Sequence, residues 1–135
     1  MTSSTPNSYL HKQLHILIVE DNKINQFVLK TILDIEHINV TIAENGQEAL
    51  DKLDEHRFDI ILMDLMVPIM DGFEATKTIR ALGSEKRNIP IIAVSADVTN
   101  NIEYKCLEAG MNAYTSKPID KKILFELIAN QLVSI

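Results

Sequence analysis

Three stretches of this chain are apolar without interruption: Ile16 to Val19, Ile60 to Met63 and Ile91 to Val94. A strand with one face in water alternates polar and apolar residues, so runs without alternation belong to strands covered on both faces. They are expected at the centre of a parallel sheet. Asn39-Val40-Thr41-Ile42-Ala43 does alternate, and Ala113-Tyr114-Thr115-Ser116 is short and polar, so both suit sheet edges. Helical patterns lie between these five strands. Ile24, Phe27, Val28, Thr31 and Ile35 share one face of the first; Ala49, Leu50 and Leu53 share one face of the second; the third carries Phe73, Thr76 and Ile79. Ile102, Cys106 and Ala109 mark a fourth, which Gly110 is placed to stop, and a fifth runs from about Asp120, a suitable N-cap, with Ile123, Leu124, Leu127 and Ile128 inward. Strict alternation of strand and helix calls for right-handed crossovers and a three-layer α/β fold.

One domain is enough for 135 residues of 46% hydrophobic content. Residues 1–13, with Thr, Ser, Pro and Asn clustered from Met1 to Tyr9, read as a flexible leader, 14–135 as the domain, and no second domain is expected as effector. A net charge of −6 disfavours sequence-independent contact with nucleic acid or an anionic membrane. The basic clusters at Lys86-Arg87 and Lys121-Lys122 read as solvated faces. No apolar segment approaches the roughly 20 residues that span a bilayer, the N-terminus lacks a signal-peptide core, and the lone Cys106 has no internal disulfide partner. A reducing cytoplasm is the expected compartment. Cys106 and Met111 fit core packing, and His11, His15, His37 and His56, scattered without ligand spacing, read as surface residues.

Two of the apolar runs end abruptly in carboxylate. Glu20 and Asp21 close the first and Asp64 closes the second. For an isolated pair, a polar strand terminus with Asp21 or Asn22 capping the next helix would be the reading; Asp64 at the corresponding place reverses that preference. A strand order of 2-1-3-4-5 brings the ends of strands one and three together, and its topological switch point lies between them, where ligands bind beyond the carboxyl ends. Three converging carboxylates need a cation or a proton. Mg²⁺ prefers oxygen ligands and takes one or two carboxylates. Asp21 as direct ligand, Glu20 through water and the backbone carbonyl of Met66 would complete a set with Asp64. A carboxylate can also attack phosphorus to form an acyl phosphate, and Asp64 is the expected nucleophile. Ser95 puts a hydroxyl at the same edge and Lys117 could neutralise a phosphoryl group, with Pro118 fixing the backbone beside it. A strand-closing serine and a surface lysine are the bland alternatives. Tyr114 is by default a static, half-buried edge aromatic.

Taken together, Ile18-Val19-Glu20-Asp21-Asn22, the segment from Met63-Asp64 through Pro68 to Asp71-Gly72, Ser95-Ala96 and Ser116-Lys117-Pro118 resemble the receiver domain of two-component response regulators over residues 14 to about 133. The resemblance implies a flavodoxin-like (βα)5 fold. It makes Asp64 the phosphoacceptor, Glu20 and Asp21 the acidic metal pair for Mg²⁺ or Mn²⁺, Lys117 the phosphate-contacting lysine, Ser95 the switch hydroxyl and Tyr114 the switch aromatic. Ile24-Asn25-Gln26 and the segment Met70 to Thr76 look most like receivers of hybrid sensor kinases. Val67 stands where such receivers often carry methionine. Met66 and Asp97 fall where the family tunes access of hydrolytic water.

The resemblance implies a phosphoacceptor rather than a turnover enzyme, and with no effector or kinase domain expected beside it the receiver is expected to stand alone. Its donor would be a sensor histidine kinase or histidine phosphotransfer protein, and its output a downstream protein contact at the face of helix four, strand five and helix five. A homodimer formed on phosphorylation is compatible with this, as are a relay role and a phosphorylation-independent interaction module. A haloacid-dehalogenase-like phosphatase is disfavoured because Met66 stands where a second aspartate is required. A flavin module is disfavoured because Glu20 and Asp21 would repel its phosphate.

Overall fold

A computed structural model describes residues 13–97 and 99–133. Five strands, β1 (His15–Val19), β2 (Asn39–Ala43), β3 (Ile60–Asp64), β4 (Ile91–Ser95) and β5 (Ala113–Ser116), alternate with α1 (Lys23–Ile35), α2 (Gly46–Glu55), α3 (Gly72–Arg80), α4 (Ile102–Ala109) and α5 (Lys121–Val133). A short 3-10 turn, Glu85–Asn88, precedes β4. All strands pair in parallel in the order β2-β1-β3-β4-β5. Both the flavodoxin-like architecture and the edge positions of β2 and β5 are as expected. Of the leader expected over 1–13, all but Gln13 lies outside the described residues.

Every residue of β3 and β4 is buried, because successive side chains feed opposite faces of the sheet. Leu17, Ile61, Met63, Ile91 and Ala93 pack with Ala49, Leu53, Ala75, Ile79, Ile102 and Cys106. Ile16, Ile18, Ile60, Leu62, Ile92 and Val94 meet Leu29, Leu33, Leu124 and Ile128 on the other face. At roughly 1.5–3 kcal/mol for each fully buried aliphatic side chain, these two layers are the main favourable term that fixes the strand order.

Side-chain caps start the helices that abut the carboxyl edge. Asn22 accepts from the Asn25 N–H at 2.9 Å, Asn45 from Glu48 at 2.8 Å, Asp71 from Glu74 at 2.9 Å and Asp120 from Ile123 at 3.1 Å. α4 begins at Asn101 without such a bond and ends at Gly110, whose φ of 109° is the left-handed stop expected of it.

α1 departs from the sequence reading. Ile24, Phe27, Val28 and Ile35 are 74%, 70%, 39% and 58% exposed, Thr31 is exposed too, and the buried residues are Gln26, Leu29 and Leu33. At about 100° per residue the two sets lie on opposite sides of the helix. The sheet takes the set with the two leucines. Ile123, expected inward on α5, is likewise 46% exposed, because the buried stripe of that helix runs through Leu124, Phe125, Ile128 and Ala129 and leaves Ile123 at its edge.

Candidate functional site

Parallel register carries the chemistry to one edge. Val19 pairs with Met63, so Glu20 emerges beside Asp64; Asp64 pairs with Val94 and Ser95 with Ser116, so Ser95 and Lys117 follow on the next strands. Carboxylate oxygens of Glu20, Asp21 and Asp64 lie within 4.8 Å of one another. The ammonium of Lys117 donates to Glu20 Oε1 at 2.8 Å and to Asp64 Oδ2 at 3.0 Å. One cation against three carboxylates leaves two negative charges uncompensated if all are ionised. The donor set is hard oxygen with a divalent charge deficit, which fits Mg²⁺.

Electrostatics follow from burial. Glu20 is 1% exposed, and desolvation pushes its carboxyl above the ordinary value against the opposing pull of the Lys117 and Asn22 hydrogen bonds. Burial alone would lower Lys117, but its bonds to Glu20 and Asp64, with their charges, outweigh it and hold the ammonium above its ordinary value. The lysine stays charged where charge is needed.

The backbone around these groups is closely determined. Met66 N–H donates to Asp64 Oδ1 at 3.0 Å, so Asp64 also closes the turn that follows β3. Gly72 lets α3 start against β3: a Cβ there would stand 2.6 Å from the Asp64 carbonyl oxygen. In the same loop the Met70 N–H bonds the Pro68 carbonyl at 2.7 Å around Ile69, a β-branched residue held at a φ of 70° and 82% exposed. That γ-turn is strained, and it puts an apolar side chain in water near Met66, itself 72% exposed. The Lys117-Pro118 bond is cis. A cleft of about 110 Å³ between α1 and the loop after β5 is lined by Asn25, Val28, Lys117 and Pro118.

Ser95 is fully buried, and its Oγ accepts from the Asp97 N–H at 3.1 Å. Half-buried Tyr114 donates its hydroxyl proton to the Asp97 carbonyl oxygen. One residue thus bonds both expected switch residues through its main chain. Tyr114 also borders a cavity of about 270 Å³ with Cys106, Leu107 and Leu127. Cys106 and Met111 are core residues, as expected. His15 is only half exposed, its Nε2 2.7 Å from Thr41 Oγ1, which corrects its reading as a surface residue; His11 lies outside the described residues.

All the named site residues therefore meet at one edge, save Tyr114, which stands one shell away through Asp97. Gln26 escaped the sequence reading. Its amide donates to the Glu20 carbonyl at 2.7 Å, and the available signal was a polar residue at the i, i+3, i+7 spacing of Gln26, Leu29 and Leu33.

A doubly wound α/β domain with an acidic, lysine-bridged cluster at its switch point defines a recognisable class. The profile of the response regulator receiver domain matches residues 16–129, and the chain belongs to that family. It is 42% identical over 123 residues to hybrid signal transduction histidine kinase I of Dictyostelium discoideum, covering 87% of this chain and 7% of the kinase. The expected likeness to hybrid-kinase receivers is borne out, and the chain spans between 5% and 14% of the length of eight curated relatives that it matches. Among solved structures, the receiver domain of sensor histidine kinase PA1611 from Pseudomonas aeruginosa superposes with a TM-score of 0.83 at 37% identity, over 90% of this chain and 99% of that one. It has a magnesium ion coordinated in its active-site cleft. The receiver domain of Saccharomyces cerevisiae Ssk1, crystallised with the histidine phosphotransfer protein Ypd1, matches at 32% identity with a TM-score of 0.79 over 88% of each chain. Receiver domains partner with histidine kinases or phosphotransfer proteins in two-component signalling. Among the described residues no helix is long and apolar enough to cross a membrane.

Proposed function

We propose that this receiver takes a phosphoryl group from a phosphohistidine onto Asp64 and acts as a signalling switch rather than a turnover enzyme. The observation that carries the reading is Asp64 at the end of β3, within 4.8 Å of Glu20 and Asp21 and bonded to Lys117. Mg²⁺, or Mn²⁺ in its stead, would be held by the carboxylates of Asp21 and Asp64 and the Met66 carbonyl, with Glu20 acting through water, and would supply charge neutralisation for the phosphoryl oxygens.

An Asp64 carboxylate oxygen forms a bond to phosphorus as the P–N bond of the donor breaks, the imidazole leaving with the electron pair. Lys117 shares its charge with the transferred group. Ser95 turns its hydroxyl to donate to a phosphoryl oxygen and gives up the Asp97 N–H. Because Asp97 also accepts from Tyr114, that exchange biases the tyrosine and with it α4, whose first turn has no side-chain cap. Exposed Tyr104 and Leu107 on α4 and Ile123 on α5 support the α4-β5-α5 face as the output contact for a downstream protein. The exposed Ile24, Phe27 and Val28, on the helix that starts beside Asp21, support docking of the phosphohistidine protein on α1.

Incubation with Mg²⁺ and acetyl phosphate followed by intact-mass measurement tests the reading. One added phosphoryl group on the wild type and none on Asp64→Asn is expected. An unmodified wild type, or an adduct that persists in the variant, would remove Asp64 from the role.

A further inference from the structure

We propose that Gln26 is a positioning residue of the metal site: its side-chain amide fixes the Glu20–Asp21 peptide and so sets the affinity for a divalent cation. The inference rests on the proposed role of Glu20, Asp21 and Asp64 as a metal site.

Gln26 occupies the sheet-facing stripe of α1 with Leu29 and Leu33 and is 7% exposed. An amide in that position is costly unless its hydrogen bonds are made. Nε2 donates to the Glu20 carbonyl oxygen at 2.7 Å, and the same amide helps hold the Glu44 carboxyl below its ordinary value, after the larger effect of Lys23. Both neighbours are acceptors, so the NH₂ end of the amide must face them.

The other polar groups of Glu20 are also engaged. Its N–H donates to the Ala43 carbonyl at 2.9 Å, Oε2 accepts from the Asn22 N–H at 3.0 Å and Oε1 accepts from Lys117 at 2.8 Å. The carbonyl is the group that belongs to the peptide leading into Asp21, and a side chain on α1 holds it. Since the peptide is planar, pinning the Glu20 oxygen directs the Asp21 N–Cα bond. The Asp21 side chain is exposed, so its carboxylate has little else to place it against Asp64. A merely structural Gln26 would satisfy a strand-end carbonyl for folding, and metal affinity would be indifferent to its loss. Outer partners that orient ligands alter affinity instead.

Calorimetric titration of the full chain with Mg²⁺ separates the two. Gln26→Met keeps the side-chain length and removes the donor without adding charge. The Mg²⁺ dissociation constant should rise about tenfold in Gln26→Met. Equal affinity in Gln26→Met and wild type, whatever the thermal stability, overturns the positioning role. A measurement on the wild type alone covers a variant that does not fold: the Gln26 side-chain amide resonances should shift on saturation with Mg²⁺ while those of Gln47 stay, and unmoved Gln26 resonances also overturn it. Absence of any Mg²⁺ binding by the wild type is the separate failure of the metal reading itself.

Discussion

The two ends of the sheet handle charge in opposite ways. At the amino end Arg80, the last residue of α3, donates to the carbonyls of Gly110 at 2.8 Å and of Arg87 and Ile89 at 2.7 Å, and to Asn112 Oδ1 at 3.0 Å. Asn112 Oδ1 also accepts from the Ile91 N–H at 2.8 Å, so one cation ties α3, the 3-10 turn, β4 and the approach to β5. Asp59 accepts from the His15 N–H at 2.9 Å and returns a bond from its own N–H to the His15 carbonyl at 2.8 Å. Charge there is matched locally by neutral dipoles. At the carboxyl end three carboxylates cluster around a single lysine that pairs with two of them, Glu20 and Asp64. The first arrangement serves stability, while the second leaves an unmet demand for positive charge that a ligand can fill.

Removing the clasp should give the largest change in stability. Arg80→Ala leaves two partly buried carbonyls, those of Gly110 and Ile89, without this donor, at about 1–3 kcal/mol for a buried acceptor, and we expect a loss of about 3 kcal/mol by urea denaturation. The folded fraction should still accept phosphoryl groups from acetyl phosphate at the wild-type rate, because no bond of Arg80 reaches Asp64. A stability loss under about 1 kcal/mol would mean that solvent replaces the guanidinium without cost, and the contrast between the ends would fail.

At the other end neutralising a charge should act with the opposite sign. Asp21→Asn removes one of three neighbouring carboxylates, and relief of repulsion should stabilise the metal-free protein by a few tenths to about 1 kcal/mol, the effect being screened at an exposed position. Added Mg²⁺ should stabilise the wild type and no longer this variant. Thermal unfolding with and without the ion gives both readouts; destabilisation of the metal-free variant would show that the cluster is not frustrated.

This difference also explains which parts of the molecule are legible in its sequence. The carboxyl end was legible because strand-end Glu20, Asp21, Asp64, Ser95 and Lys117 are chemically distinctive and follow apolar runs. The clasp was not, since Arg80 bonds mainly to main-chain carbonyls, which leave no trace in residue type. α1 was read on the wrong face for a related reason: its apolar residues form two stripes, and periodicity alone does not say which one meets the sheet. Gln26 was hidden by the same ambiguity, because only the correct face makes it a buried polar residue. Asp97 could not be read as the link between Ser95 and Tyr114, since its main chain makes both bonds.

The smallest effect concerns pH at the amino end. Burial, and then the neighbouring His56, hold the His15 imidazole below its ordinary value of 6.5, against the opposing pull of Asp59 and the Arg57 backbone. The ring centroids of His15 and His56 are 5.9 Å apart, and Phe58 lies 4.5 Å from His15. Because the folded state binds this proton less readily than the unfolded chain, the unfolded chain takes it up first as the pH falls. The contribution of His15 is therefore fully present above the unfolded value and is lost as the pH drops below about 6.5 toward the lower folded value. His15→Gln keeps a polar group near Thr41 without titrating in this range. Its unfolding midpoint should fall less than that of the wild type between pH 7 and pH 5, by about a degree or less given solvent screening of the ring. A wild type that instead gains relative to His15→Gln on acidification would mean that Asp59 dominates the imidazole, and that this end too stores a charge it could exchange.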